Sequence, residues 1–131
     1  MSNLETVQSI YAAFGRGDVP AILEVMSDDV VWEYGAADNG VPWLAPRRGK
    51  KGVGEFFQSL AAMEITKFEV HDIVGDGPVV VALIGIDFTV KATGKKVSEG
   101  DEAHVWRFDD RGRVVRFRHA ADTFAHARAL G

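Results

Sequence analysis

VVVALIGIDFTVKATGKKVSEGDEAHVWRFDDRGRVVRFRHAA, residues 79–121, decides the fold. It holds three β-branched and aromatic runs, Val79–Val90, Lys96–Phe108 and Arg113–Ala121. Short turn signals, Ala92-Thr93-Gly94 and Asp109-Asp110-Arg111-Gly112, separate them, so consecutive strands pair antiparallel. Ile65–Val74 adds a fourth strand, joined through Gly75-Asp76-Gly77-Pro78. A glycine bulge at Gly94 places Lys91 opposite Lys95, hence Ile84 opposite Glu102 and Ala82 opposite His104. A turn centred on Asp110-Arg111 places Glu102 opposite His119 and His104 opposite Phe117. Alternation then puts Ile84, Ile86, Phe88, Glu102, His104, Trp106, Val115, Phe117 and His119 on one face. That face is apolar apart from Glu102, His104 and His119, which cross-strand spacing of about 5–8 Å gathers into one cluster.

Upstream, Leu4, Val7, Tyr11 and Phe14 recur at helical spacing until Gly15-Arg16-Gly17. Asp18 caps a second, shorter helix with Pro20 in its first turn. Asp28-Asp29 break into a strand over Val30–Tyr34, whose parity points both Trp32 and Tyr34 inward. Residues 35–49 carry Gly35, Gly40, Pro42, Pro46 and Gly49 and read as a loop, with an apolar centre at Val41–Leu44. A third helix is expected over Lys51–Met63, and the tail from Thr123 to Leu130 as a final helical turn or two, with Asp122 as its cap. Helices segregated before a long antiparallel sheet make an α+β domain, one unit over residues 1–131.

The chain has 131 residues, 47% hydrophobic, with no cysteine and a formal charge of −4. Zero cysteines exclude disulfides, cysteine nucleophiles and thiolate metal sites. An acidic balance is unsuited to nucleic acid or an anionic membrane, and no apolar run reaches the ~18 residues of a membrane span. Met1–Glu5 shows no signal-peptide pattern, which leads to the expectation of a soluble, cytoplasmic protein.

Val7–Asp29, VQSIYAAFGRGDVPAILEVMSDD, followed by strand, loop, helix and meander, resembles the nuclear transport factor 2-like superfamily. Within it the chain is most similar to the ketosteroid isomerase-like and polyketide-cyclase (SnoaL-like) branch. The resemblance spans essentially the whole chain and includes the hairpin Asp110-Arg111-Gly112-Arg113-Val114-Val115. It implies a cystatin-like cone, with three N-terminal helices packed on a curved antiparallel sheet and a pocket near the first strand and third helix. The positions that carry the ketosteroid isomerase machinery correspond to Ile10, Tyr34 and His104, so that mechanism is not expected. The position of the cyclase aspartate corresponds to His119.

The candidate catalytic residues are His119, His104, Glu102 and Tyr34. Histidine titrates near neutrality, which suits proton transfer. His119 is assigned as the base, tuned by Glu102, and His104 polarises an oxygen, with Tyr34 as a possible helper. Tyr11, Trp32, Trp43, Phe56 and Trp106 are expected as substrate-binding walls, with Trp43 capping the opening. Three readings of the cluster stay open: an acid/base or ligand site, a structural hydrogen-bond network, and a zinc or iron site formed by Glu102, His104 and His119. The resembling family works mostly without metal, so no metal and no cofactor is expected. The function expected is cofactor-free isomerase, cyclase or dehydratase chemistry on an apolar carbonyl- or hydroxyl-bearing substrate. The alternative is a non-catalytic ligand-binding or dimerisation domain. His71 and His126 read as exposed, and Arg47-Arg48-Gly49-Lys50-Lys51 as a solvated charge run. The outer sheet face, with Asp87, Glu99 and Asp101 toward one end and Arg107, Arg116 and Arg118 toward the other, suggests a homodimer. Ala103, Val105, Val114 and Ala120 would form its centre.

Overall fold

The computed structural model describes residues 1–131. Helices α1 (Asn3–Gly15) and α2 (Val19–Glu24) lead into strand β1 (Met26–Trp32) and the two-residue strand β2 (Arg47–Arg48). Helix α3 (Gly49–Ser59), strands β3 (Met63–Val74), β4 (Val79–Val90), β5 (Lys96–Phe108) and β6 (Val114–Ala120), and helix α4 (Thr123–Leu130) complete the chain. The six strands form one sheet in the order β2-β1-β6-β5-β4-β3. The architecture is the expected α+β cone: 25 buried apolar side chains fill the space between helices and sheet. No helix is long and apolar enough to cross a membrane.

Local chemistry accounts for the element ends. Ser2 and Glu5 form a reciprocal capping box on α1. Asp18 accepts from the Ala21 N–H and Asp122 from the Ala125 N–H, as expected of helix caps.

Several expectations need correction. β1 begins at Met26, with Asp28 and Asp29 exposed inside it instead of breaking it. It ends at Trp32, because Glu33 adopts a left-handed backbone with φ 62°. β1 pairs parallel with β6, so the sheet is not wholly antiparallel. Arg47 and Arg48 leave the loop to pair with Trp32 and Val31. α3 starts at Gly49 and gives way at Leu60 to a short 3-10 turn.

The β4–β5 register holds at Ala82↔His104 and Ile84↔Glu102, then slips to Ile86↔Glu99. The extra residue lies between Glu99 and Glu102, not at Gly94, and this bulge turns Glu99 inward. In the next hairpin Asp109 accepts from the Arg111 and Arg113 N–H groups and closes a three-residue loop. That moves the β5–β6 register by one residue, and an irregularity between Arg107 and Phe108 adds a second, giving His104↔His119 and Trp106↔Phe117. A two-residue slip preserves the face, so the cluster survives. The same irregularity beside Phe108 buries Val114 in place of Val115, which removes Val114 from the outer face.

Candidate active site

All four helices, the loop before β2 and the concave face of the sheet enclose a cavity. It has 21 lining residues, 17 of them hydrophobic, and about 650 Å³ of empty space counted out to its mouth. Tyr11, Trp32, Trp43, Phe56 and Trp106 all line it, as do Glu102, His104 and His119. Tyr34 does not. Glu33's left-handed backbone reverses strand parity, so Tyr34 points to the outer face, where its hydroxyl accepts from Arg107 Nε at 3.0 Å. The same reversal carries the Glu33 side chain inward, where it is buried.

Glu33, not Glu102, is the partner of His119. A Glu33 carboxyl oxygen shares a hydrogen bond with His119 Nδ1, and the His119 backbone N–H also faces that carboxyl. Burial pushes the Glu33 carboxyl up to about 8, against the opposing pull of the His119 backbone N–H. Burial also lowers His119, to about 3, with His104 adding to the effect. At neutral pH a protonated Glu33 therefore donates to Nδ1 of a neutral imidazole, and the ring hydrogen of His119 sits on Nε2. Loss of one proton from this pair leaves a Glu33 carboxylate accepting from Nδ1–H, with the Nε2 lone pair free. The two side chains titrate as a unit.

His104 is oriented by a different relay. Trp106 Nε1–H can only donate, and it does so to the Tyr11 oxygen at 3.1 Å. The Tyr11 hydroxyl then donates to His104 Nδ1, 2.6 Å away. This order assigns the His104 hydrogen to Nε2, a buried atom with no hydrogen-bond partner. Glu102 Oε1 lies 3.7 Å from it, beyond hydrogen-bonding distance. Burial pushes the Glu102 carboxyl up, but its contact with His104 and the neighbouring imidazoles outweigh this and leave it below its ordinary range. The rings of His104 and His119 stand 4.7 Å apart, edge to face. Ligand-capable atoms of Glu102, His104 and His119 all fall within 4.8 Å of one another.

The sequence reading missed two site residues. Glu33 carries no signal, because strand parity points it outward and only the backbone reversal brings it in. His126, expected to be exposed, is buried and lines the cavity. Its Nδ1 accepts from Trp43 Nε1–H at 2.9 Å and its Nε2–H donates to Glu99. The spacing His126, Ala129, Leu130 was a helical signal for an inward face. Trp43 thus closes one wall of the cavity, tied to α4 through this bond.

No curated protein matches the chain in sequence. Among solved structures, the fold is similar to an NTF2-like protein of unknown function from Burkholderia pseudomallei, at 27% identity and TM-score 0.83, covering 99% of this chain and 98% of the other. An NTF2-like protein from Burkholderia thailandensis is 26% identical with TM-score 0.85, covering 100% and 98%. A Mycobacterium tuberculosis protein in complex with estradiol-17beta-hemisuccinate shares the fold at 20% identity and TM-score 0.74, covering 95% and 98%. The SnoaL-like domain profile matches residues 7–117, most of the helices and all but the end of the sheet. With cone, cavity and profile in agreement, the chain belongs to the SnoaL-like domain family.

Proposed function

We propose that the protein is a small-molecule enzyme that moves protons without a cofactor, by isomerisation, cyclisation or dehydration, on an apolar carbonyl- or hydroxyl-bearing substrate. The observation that carries this reading is the coupled Glu33–His119 pair facing His104 across an apolar cavity. Deprotonated, the pair offers a base at His119 Nε2. Across from it, His104 Nε2–H is held as a donor by Tyr11 and Trp106. A base and a donor that share a low-dielectric site have the arrangement proton transfer needs. The steroid ester bound by the Mycobacterium tuberculosis relative supports an apolar ligand of several rings.

The test requires no prior substrate. Two- and three-ring ketones and alcohols are incubated with the protein in deuterated water, and deuterium uptake or loss of water is read by mass spectrometry. Turnover of at least one compound is expected, abolished in His119→Ala. Turnover unaffected by His119→Ala removes that residue from the chemistry, and inertness across the panel favours the non-catalytic ligand-binding reading.

A second reading concerns assembly. On the outer sheet face His71 lies 3.4 Å from both Asp101 and Glu69, while Arg107 and Arg118 both bond Tyr34 and Arg116 pairs across the strands with Arg107. Leu83 and Val105 lie between the acidic and basic ends, and Glu99 takes no part. Two copies packed antiparallel bring acid against base, so we propose a homodimer through Asp87, Asp101, Arg116 and Arg118. Sedimentation velocity should show a dimer that dissociates in the double variant Arg116→Glu, Arg118→Glu. A monomeric wild-type protein overturns it.

A further inference from the structure

We infer that the cavity recognises a hydroxyl group at one defined point, between Glu102 and His104, so that its natural ligand is an alcohol or phenol on an apolar ring system. This rests on the functional reading above and narrows its substrate class.

Two adjacent polar groups are buried there and incomplete. His104 Nε2 has no partner, and the Tyr11 relay makes it a donor. Glu102 is 3% exposed, and the His104 contact at 3.7 Å is its only ion pair. Buried polar groups are nearly always paired, and an unpaired carboxylate is among the costliest to leave so. The two atoms stand 3.7 Å apart, too far to satisfy each other. A single oxygen placed about 2.8 Å from each can serve both, provided it accepts from His104 and donates to Glu102.

A hydroxyl has both capacities. A carbonyl or ether oxygen accepts but cannot donate, so it would answer His104 while setting its lone pairs against the Glu102 carboxylate. A site built to bond a hydroxyl rejects the analogue that lacks one, because its own group is left unpaired. The remainder of the lining is apolar, with Phe68, Phe88 and Phe117 among the walls, and that suits a fused-ring frame. Held there, the hydroxyl oxygen sits beside the Nε2 of His104 and within reach of the His119 ring.

The test compares 2-tetralol with 2-tetralone, an alcohol and a ketone of nearly the same shape, by isothermal titration calorimetry. The alcohol should bind about tenfold or more tightly than the ketone, since a hydrogen bond to a charged group contributes about that much. Glu102→Leu should erase the preference, and Glu102→Gln, which keeps an acceptor without the charge, should retain part of it. Equal affinity of the two compounds overturns the inference and means that Glu102 and His104 satisfy one another. A preference that persists in Glu102→Leu overturns it too, as does failure of both compounds to bind at millimolar concentration. Loss of water from 2-tetralol is followed separately. Binding with the alcohol preference but no turnover of any compound would sink the acid/base reading while leaving the hydroxyl site intact.

Discussion

Two regions of one cavity use the same residue types to opposite ends. Near α4, His126 has both ring nitrogens engaged by the protein, Nδ1 by Trp43 and Nε2 by Glu99. Under α1 and β1, His104 and His119 have only Nδ1 engaged, by Tyr11 and Glu33. The first arrangement is closed: it ties α4 to the loop before β2 and to β5, and leaves nothing to offer a ligand. The second is half-built, since each imidazole is oriented by one nitrogen and presents the other. A histidine beside a carboxylate does not by itself mark a site. What separates the two regions is whether the second nitrogen is already occupied.

The widest separation should appear when each region loses its histidine. His119→Ala is expected to lower turnover of a compound found by the deuterium assay by about 10²–10⁴-fold, the usual range for one general acid/base group. Its melting temperature should move little by comparison. His126→Ala should do the reverse. It strands the Trp43 N–H and the half-buried Glu99 carboxylate, at a cost of about 2–4 kcal/mol read by urea unfolding. Turnover per folded molecule should fall far less than in His119→Ala. If His126→Ala abolishes turnover in fully folded protein, the closed region is part of the chemistry and the contrast fails.

How much of this could be read from the chain depends on which physical rule placed each residue. Strand alternation placed Glu102, His104 and His119 on one face, and a register error of two residues left that result intact because the side-chain period is two. Bulges are where alternation fails. The extra residue after Glu99 inverts the start of β5, and the left-handed Glu33 inverts the end of β1. A non-glycine residue in that conformation has no reliable local signature, so the exchange of Tyr34 for Glu33 was not legible. The tail is a third case. His126 sits one helical turn from Ala129, and its burial follows from amphipathic spacing once the helix begins at Asp122. The helix spans the expected Thr123–Leu130, and only its inward face went unread.

The open region should also show itself in stability against pH. Glu33, raised to about 8, holds a proton in the folded state that the unfolded chain gives up near 4.5, so its contribution falls as pH rises toward 8. His119, lowered to about 3, stays neutral where the unfolded chain is protonated, so its contribution is lost as pH falls from about 6.5 toward 3. The two trends oppose one another between about 4.5 and 6.5, and each acts alone outside that window. Urea unfolding across pH 3–9 should give greatest stability inside the window. Glu33→Gln, which mimics the protonated carboxyl, should flatten the alkaline side only. An unchanged alkaline slope in Glu33→Gln would show that Glu33 is already ionised. The same titration governs the base: turnover that uses His119 Nε2 should rise with pH to an apparent midpoint near 8.

The smallest expected effect tests how the open nitrogen is kept open. Tyr11 lines the cavity, so Tyr11→Phe leaves its walls almost unchanged and removes one hydroxyl. That hydroxyl is the only link between Trp106 Nε1–H and His104 Nδ1. Without it the Trp106 donor is orphaned, which costs about 1 kcal/mol or somewhat more, and His104 is free to carry its hydrogen on either nitrogen. Only the Nε2–H form can donate into the cavity, so turnover should fall in proportion to that form's share, about two- to tenfold. A residue that merely packed would not alter the tautomer. Nitrogen-15 spectra of the His104 ring should show Nε2–H alone in the wild-type protein and a mixture in Tyr11→Phe. A wild-type ring protonated at Nδ1 would reverse the Tyr11–His104 bond alone, so that Tyr11 accepts from both neighbours, and the nitrogen facing Glu102 would then be a lone pair.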